Sequence, residues 1–314
     1  MGKEGMKQFL LRKDKFDVTN QIVYYQIKMN MKNRCNLFVK SILLITFIIF
    51  NSELSSQNAY KLQKDIPYYS EGTSMNEKSI LSDCTLDIYY PTNSTNFATI
   101  IWFHGGGLIS GKKEIPQELL EKGFAVIGVG YRLSPKVTAA TCIDDAAAAI
   151  AWTFKHIEEY GGNANAIFLA GHSAGAYLSL MTTLNKKYLE LYNIDSDSIA
   201  GVIALSSQAI THFTIRNERG IDSRKPIIDE FAPLYHIREN LPPIILVTGD
   251  AELEMLGRYE ENAYFYRMLM LQGSNEVRLY KLDGYNHGMM VQASYPLLLR
   301  EAIRLAKRKG VKIK

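Results

Sequence analysis

Residues 166–175 restrict the fold more than any other stretch of the chain. Ala166-Ile167-Phe168-Leu169-Ala170 is a short, bounded apolar run that reads as a buried strand. Gly171-His172-Ser173-Ala174-Gly175 follows at once, and Ala176-Tyr177-Leu178-Ser179-Leu180-Met181 beyond it is a good helix former. A strand that turns sharply into a helix at Gly-x-Ser-x-Gly lifts the serine hydroxyl above the sheet. The flanking positions must be glycine, because a side chain there would strike the neighbouring strand and helix. The pentapeptide alone is also compatible with a Gly-rich turn capped by Ser173. The strand before it and the helix after it favour the exposed-serine reading.

The rest of the chain extends this pattern. Asp65–Ser70 reads as a first edge strand, followed by a polar turn over Glu71–Glu77. Thr85–Tyr90 alternates and stops at Pro91, while Ala98–Phe103 and Ala125–Val129 are continuous apolar runs of the kind a doubly covered sheet requires. Gln117–Lys122 is expected to be a short helix. Asp144–Glu159 is expected to be a long Ala-rich one, opened by acids that suit the helix dipole and closed at Gly161-Gly162. Beyond the elbow come strands at Ile199–Leu205, Ile244–Thr248 and Val277–Leu282, with helices at Glu260–Leu271 and Tyr295–Lys307. Residues 206–240 lack periodicity and read as a small lid insertion over the end of the sheet. Strands alternating with helices of this length imply an α/β fold, a mostly parallel central sheet with helices on both faces, in one domain over 57–314.

The formal charge of +4 is concentrated in the leader: residues 1–56 hold nine Lys/Arg against four acids, and residues 57–314 net −1. A nearly neutral body gives no reason to expect nucleic acid as a partner. Met31-Lys32-Asn33-Arg34 begins a basic segment, Ser41–Phe50 is an apolar one, and Ser52, Ser55 and Ser56 follow. That is the grammar of a signal peptide cleaved near Ser56–Gln57, which predicts a secreted or periplasmic protein with no stable membrane insertion after cleavage. The alternative is an anchor formed by an uncleaved 41–50 segment, but the run falls short of the roughly 20 residues a span needs. Residues 1–30 precede the basic segment, so translation is expected to begin at Met31 or Met29, with the upstream stretch a mis-called extension. Cys35 lies ahead of the apolar run, and Cys84 and Cys142 are expected to be buried thiols rather than a bridge.

A serine hydroxyl becomes a nucleophile only when a base takes its proton and an acid holds that base. Of six histidines, His287 follows the Val277–Leu282 strand within Asp283-Gly284-Tyr285-Asn286-His287-Gly288. Sites in open parallel sheets gather at carboxyl ends of strands, which makes His287 the candidate base. His156 stands mid-helix without a second histidine four residues away, so it offers no metal pair. The Ile244–Thr248 strand runs into Gly249-Asp250-Ala251-Glu252-Leu253-Glu254, which offers three carboxylates as the acid. His104-Gly105-Gly106-Gly107 follows the Ala98–Phe103 strand. Its backbone N–H groups at Gly106 and Gly107, with that of Ala174, are the candidate oxyanion donors.

Together, His104–Gly107, Tyr131-Arg132-Leu133-Ser134-Pro135, Gly162-Asn163, Gly171–Gly175 and His287 resemble the α/β-hydrolase superfamily. Within it they are similar to hormone-sensitive-lipase-like carboxylesterases and to secreted acetyl-xylan and feruloyl esterases. The likeness runs from about Thr85 to the C-terminus. It implies a serine carboxylesterase acting through an acyl-enzyme, without metal or organic cofactor. It also ranks the acids, because the family places its Asp third after the strand-ending glycine, where this chain has Glu252. Asp250 is the runner-up, or else a helix cap, and Glu254 is read as first-turn helix charge. Only about 28 residues separate Gln57 from the first confident strand, too few for a large helical cap. A lightly lidded site favours short acyl groups, acetyl or feruloyl, on a small-molecule or glycan alcohol. An amidase or aryl-formamidase shares the same machinery, and a catalytically silent binding homologue is the rival from another class. A prolyl-oligopeptidase arrangement, which normally carries a propeller, is not expected from residues 57–314.

Overall fold

The structure, a computed structural model, describes residues 21, 23–26, 28–32, 40, 59–69 and 78–313, except 256 and 275. By internal contacts the chain divides into Met1–Gln57 and Asn58–Lys314. In the first unit the described residues between 21 and 32 are helical and exposed. The apolar segment Ser41–Phe50, the cleavage position near Ser56 and the Glu71–Glu77 turn all lie outside the described residues. Among the described residues no helix is long and apolar enough to cross a membrane.

The second unit is built on one eight-stranded sheet. Its strands are β1 (Tyr60–Pro67), β2 (Thr85–Pro91), β3 (Phe97–Phe103), β4 (Ala125–Val129), β5 (Gly162–His172), β6 (Gly201–Leu205), β7 (Ile244–Thr248) and β8 (Val277–Lys281). They lie in the order β1-β2-β4-β3-β5-β6-β7-β8. The β1–β2 and β2–β4 pairs are antiparallel and all the others parallel, so the mostly parallel α/β sheet expected from the sequence is present. The helices are α1 (Lys78–Asp83), α2 (Ala139–His156), α3 (Ala174–Leu184), α4 (Lys187–Glu190), α5 (Phe213–Glu218), α6 (Arg258–Leu271) and α7 (Met289–Arg308). Two buried apolar clusters flank the sheet, as its period-two alternation requires. One joins Ile101, Phe103 and Leu169 to α2 and α3. The other joins Ile100, Trp102 and Phe168 to Leu298 and Leu305 of α7.

Four of the departures from expectation have a local reason. β1 begins at Tyr60 rather than Asp65, because an exposed edge strand carries no apolar run to announce it. Gln117–Leu119 is a single 3-10 turn instead of a helix to Lys122. α2 starts at Ala139, which moves Asp144 and Asp145 out of its first turn; Asp145 is buried and paired with Arg132. α7 starts at Met289 and runs through Pro296. The side chain of Asn286 starts it, accepting from the amides of Gly288 (3.1 Å) and Met289 (2.9 Å). Met290, Ser294, Tyr295 and Leu298 then bury one continuous face, which keeps the helix together across the proline. Cys84 and Cys142 are free and buried, as expected.

Candidate active site

Ser173 occupies the corner between β5 and α3 with φ 53° and ψ −113°, a left-handed backbone conformation that a non-glycine residue adopts only under constraint from its surroundings. Its amide donates to Leu205 O at 2.8 Å, pinning the corner to β6. The glycine at 175 is a steric requirement: a Cβ there would sit 2.0 Å from Phe103 O. Ala174 is the first residue of α3, so its N–H has no carbonyl partner within the helix.

The Gly-rich loop after β3 lies against this corner. A Cβ on Gly105 would meet His172 Nδ1 at 3.1 Å and Ser173 Cβ at 3.7 Å. Gly106 (φ 115°) and Gly107 (φ 64°) curl the loop so that both carbonyls are occupied. Gly106 O accepts from the amides of Ile109 (3.1 Å) and Ser110 (3.0 Å), and Gly107 O from the Thr214 hydroxyl (2.5 Å). Among the described residues no hydrogen bond uses the N–H of Gly106 or Gly107. His104 braces the base of the loop: its ring stacks on Tyr131 at 4.2 Å, and the Tyr131 hydroxyl donates to His104 O at 2.8 Å. Burial lowers the His104 pKa, which keeps the ring neutral.

His287 stands between β8 and α7, and its ring centroid is 4.6 Å from that of His172. His172 Nε2 donates to the His287 backbone carbonyl at 3.1 Å. His172 is lowered to about 4, chiefly by burial and then by the neighbouring imidazole, so it holds His287 in place as a neutral donor. On its other side, His287 Nδ1 faces Glu254 Oε2 at 2.8 Å. The Ser206 hydroxyl lies 2.9 Å from the same nitrogen.

The acid facing His287 is therefore Glu254, and neither Glu252 nor Asp250 occupies that place. The turn after β7 explains the displacement. Asp250 O accepts from the amide of Glu254 at 2.9 Å, an i to i+4 bond that winds 250–254 into one helical turn. Asp250 itself is the cap: its carboxylate accepts from the amides of Glu252 (2.9 Å) and Gly284 (2.8 Å). Glu252 lands on the solvent side of that turn and is exposed. Glu254 folds back beneath Gly249, whose amide donates to its Oε1 at 3.0 Å, and its side chain is 0 % exposed. Gly249 makes the space, since a Cβ there would sit 3.0 Å from Glu254 Cγ. Burial alone would raise the Glu254 carboxyl. Hydrogen bonds from His287, Ser206 and the Gly249 amide outweigh it and hold the group at about 2. Ser206, at the carboxyl end of β6, was open to the strand-end rule that singles out His287, but it stands in no motif.

A family model described as BD-FAE matches residues 86–256, more than half of the 314. The chain belongs to the BD-FAE family. Its fold is that of the α/β-hydrolases, and the BD-FAE match takes in the His104–Gly107 loop, the Gly171–Gly175 corner and most of the turn that carries Glu254. Among curated proteins it is 31% identical over 192 residues to a probable isoprenylcysteine alpha-carbonyl methylesterase of Arabidopsis thaliana, covering 52% of this chain and 40% of that one. It is 29% identical over 144 residues to an acetyl esterase of Salmonella paratyphi B, 43% of this chain and 44% of that one. The chain thus spans about half the length, or less, of these relatives. A truncated carbohydrate esterase from gut microbiota superposes with a TM-score of 0.65 at 17% identity, covering 80% of this chain and 98% of that one. Esterase 2 of Thermogutta terrifontis gives 0.60 at 22% identity, with 80% and 95% covered. These structural likenesses carry the fold of this BD-FAE protein.

Proposed function

We propose that this chain is a serine carboxylesterase in which Ser173 is the nucleophile, His287 the base and Glu254 the acid. The observation that carries the reading is the 2.8 Å contact of Glu254 with His287 Nδ1, the His287 ring lying 4.6 Å from that of His172, which directly precedes a serine held at φ 53°. With Nδ1–H donating to the carboxylate, Nε2 is the free acceptor for the Ser173 proton. Ser173 Oγ adds to the ester carbon as His287 takes that proton. The carbonyl oxygen becomes an oxyanion held by the amides of Gly106, Gly107 and Ala174. Collapse breaks the bond to the alcohol, which leaves with the proton from His287, and water repeats the sequence on the acyl-enzyme. Short or aromatic acyl groups, such as acetyl or feruloyl, with a small-molecule or glycan alcohol, suit a site that the short 206–240 insertion borders through Phe213. Relatives named acetyl esterase and carbohydrate esterase support that substrate class. The basic and apolar leader supports export to the periplasm or beyond.

A fluorophosphonate probe is expected to label the wild type and to leave Ser173→Ala unlabelled, with 4-nitrophenyl acetate hydrolysis lost in parallel. Faster cleavage of 4-nitroacetanilide than of the matching ester would make it an amidase instead.

A further inference from the structure

Beside Glu254 a cavity of about 890 Å³ opens between the 206–240 insertion and α6. Its walls include Phe213, Met255 and Tyr264, and Arg216 and Arg258 also line it. Phe213 marks its closeness to the chemistry: the ring would lie 2.9 Å from a Cβ on Gly107.

The two arginines are the unusual feature. Arg216 is 3% exposed and Arg258 2%, yet among the described residues neither guanidinium has a carboxylate within ion-pair distance. Arg216 Nη1 donates to Lys225 O at 2.5 Å, and its Nε is buried without a partner. Arg258 Nη1 donates to Ser206 O, its Nη2 has only the Met255 sulfur at 3.9 Å, and its Nε is likewise unpartnered. Buried guanidinium groups are normally paired, because desolvating the charge is costly. Other charged and titratable groups bear on them, among them Asp222, whose field reaches Arg216, and Glu260, which is exposed on the cavity lining. Glu261 contributes a negative field, but its carboxylate is taken up by the Ala209 amide at 3.0 Å. Glu254 is engaged by His287, and Arg224 by Asp222. His212, buried with Nε2 unpartnered, is pushed well below its ordinary pKa, chiefly by burial and then by the fields of Arg258 and Arg216. The pocket thus combines apolar surface with two buried guanidinium groups that feel the Glu261 field but have no carboxylate in direct contact.

We infer that this cavity is a subsite for a carboxylate carried by the ester substrate, bound by Arg216 and Arg258 while the rest of that half of the substrate lies against Phe213 and Tyr264. A planar guanidinium matches a carboxylate with two parallel hydrogen bonds, which a neutral group of the same shape cannot reproduce. The inference rests on the esterase reading for its kinetic arm only.

Two matched pairs test it. In the first, monoethyl glutarate against ethyl glutaramate, the carboxylate is on the acyl half. In the second, 4-acetoxybenzoate against 4-acetoxybenzamide, it is on the alcohol half. In one pair the acid is expected to exceed its amide in kcat/KM by about tenfold or more, and that pair tells which half enters the cavity. Arg216→Met should bring the ratio to about one, and Arg216→Lys should keep part of it. A ratio near one in both pairs, or a preference that Arg216→Met leaves unchanged, overturns the proposal. Calorimetry on Ser173→Ala separates this from failure of the esterase reading and needs no folded Arg216 variant. There, 4-acetoxybenzoate or monoethyl glutarate should bind about tenfold or more tightly than its amide, and equal or absent binding in both pairs overturns the subsite.

Discussion

Replacing Glu254 by Gln keeps its shape but removes the charge that faces His287 and that, in the proposed mechanism, favours its imidazolium. A fall in kcat of about 10³-fold or more is expected, the scale of a lost triad acid. Glu252→Gln, on the exposed side of the same turn, should leave kcat within about twofold; steady-state rates on 4-nitrophenyl acetate compare the two. The same residue carries a pH signature. Its folded-state value of about 2 lies below the ~4.3 of a free glutamate, so the stability from its hydrogen bonds is complete above that ordinary value and is lost as pH falls toward about 2. Urea midpoints measured across that window should drop steeply for the wild type and less steeply for Glu254→Gln. The strand-end places of Ser173 and His287 can be read from the sequence because each stands in a Gly-bearing turn. Which carboxylate faces His287 cannot be read in the same way. Three carboxylates share one loop, and only the capped turn at Asp250 decides that the fourth residue after it, rather than the second, returns to the sheet.

His172 operates between elements. It ends β5, packs against Gly105 after β3, and donates to the carbonyl of His287 ahead of α7. Because the fold lowers it to about 4 while an unfolded histidine titrates near ~6.5, the unfolded chain binds the extra proton first. Stability should therefore decline as pH falls from about 6.5 to about 4 and then level off in respect of this group. His172→Gln is expected to remove that slope, as thermal melts across the range would report, and to lower kcat through misplacement of His287 with little change in KM. Central strands such as β4 and β7 were legible to the residue because they are continuous apolar runs on a doubly covered sheet. β1 and the start of α7 were not. An edge strand alternates without a core to enforce it, and Pro296 suggests a helix boundary that the buried face from Met290 to Leu298 overrides.

At the scale of the molecule, one buried ion pair joins three distant segments on the β1–β4 side of the sheet. Asp145 of α2 accepts from Arg132 Nε at 2.9 Å and Nη2 at 2.7 Å, from the Arg132 amide at 3.0 Å, and from the Tyr69 hydroxyl at 2.7 Å. Its side chain is 0% exposed, so each of these bonds replaces water that the carboxylate gave up on folding. Asp145→Asn keeps the volume but removes the carboxylate charge that faces the buried Arg132 guanidinium. The expected loss is about 3–5 kcal/mol of unfolding free energy, measured by urea denaturation. An Arg132→Met, Asp145→Leu double variant should lose less than the sum of the single losses, since both single variants break the same buried contact. Activity should decline with Asp145→Asn even below the melting transition. Tyr131, next in sequence to Arg132, stacks on His104 and holds the strand end from which the Gly106 and Gly107 amides project. A variant that loses stability but retains full kcat would show that the 131–135 segment is set by its own packing on His104, without help from the ion pair.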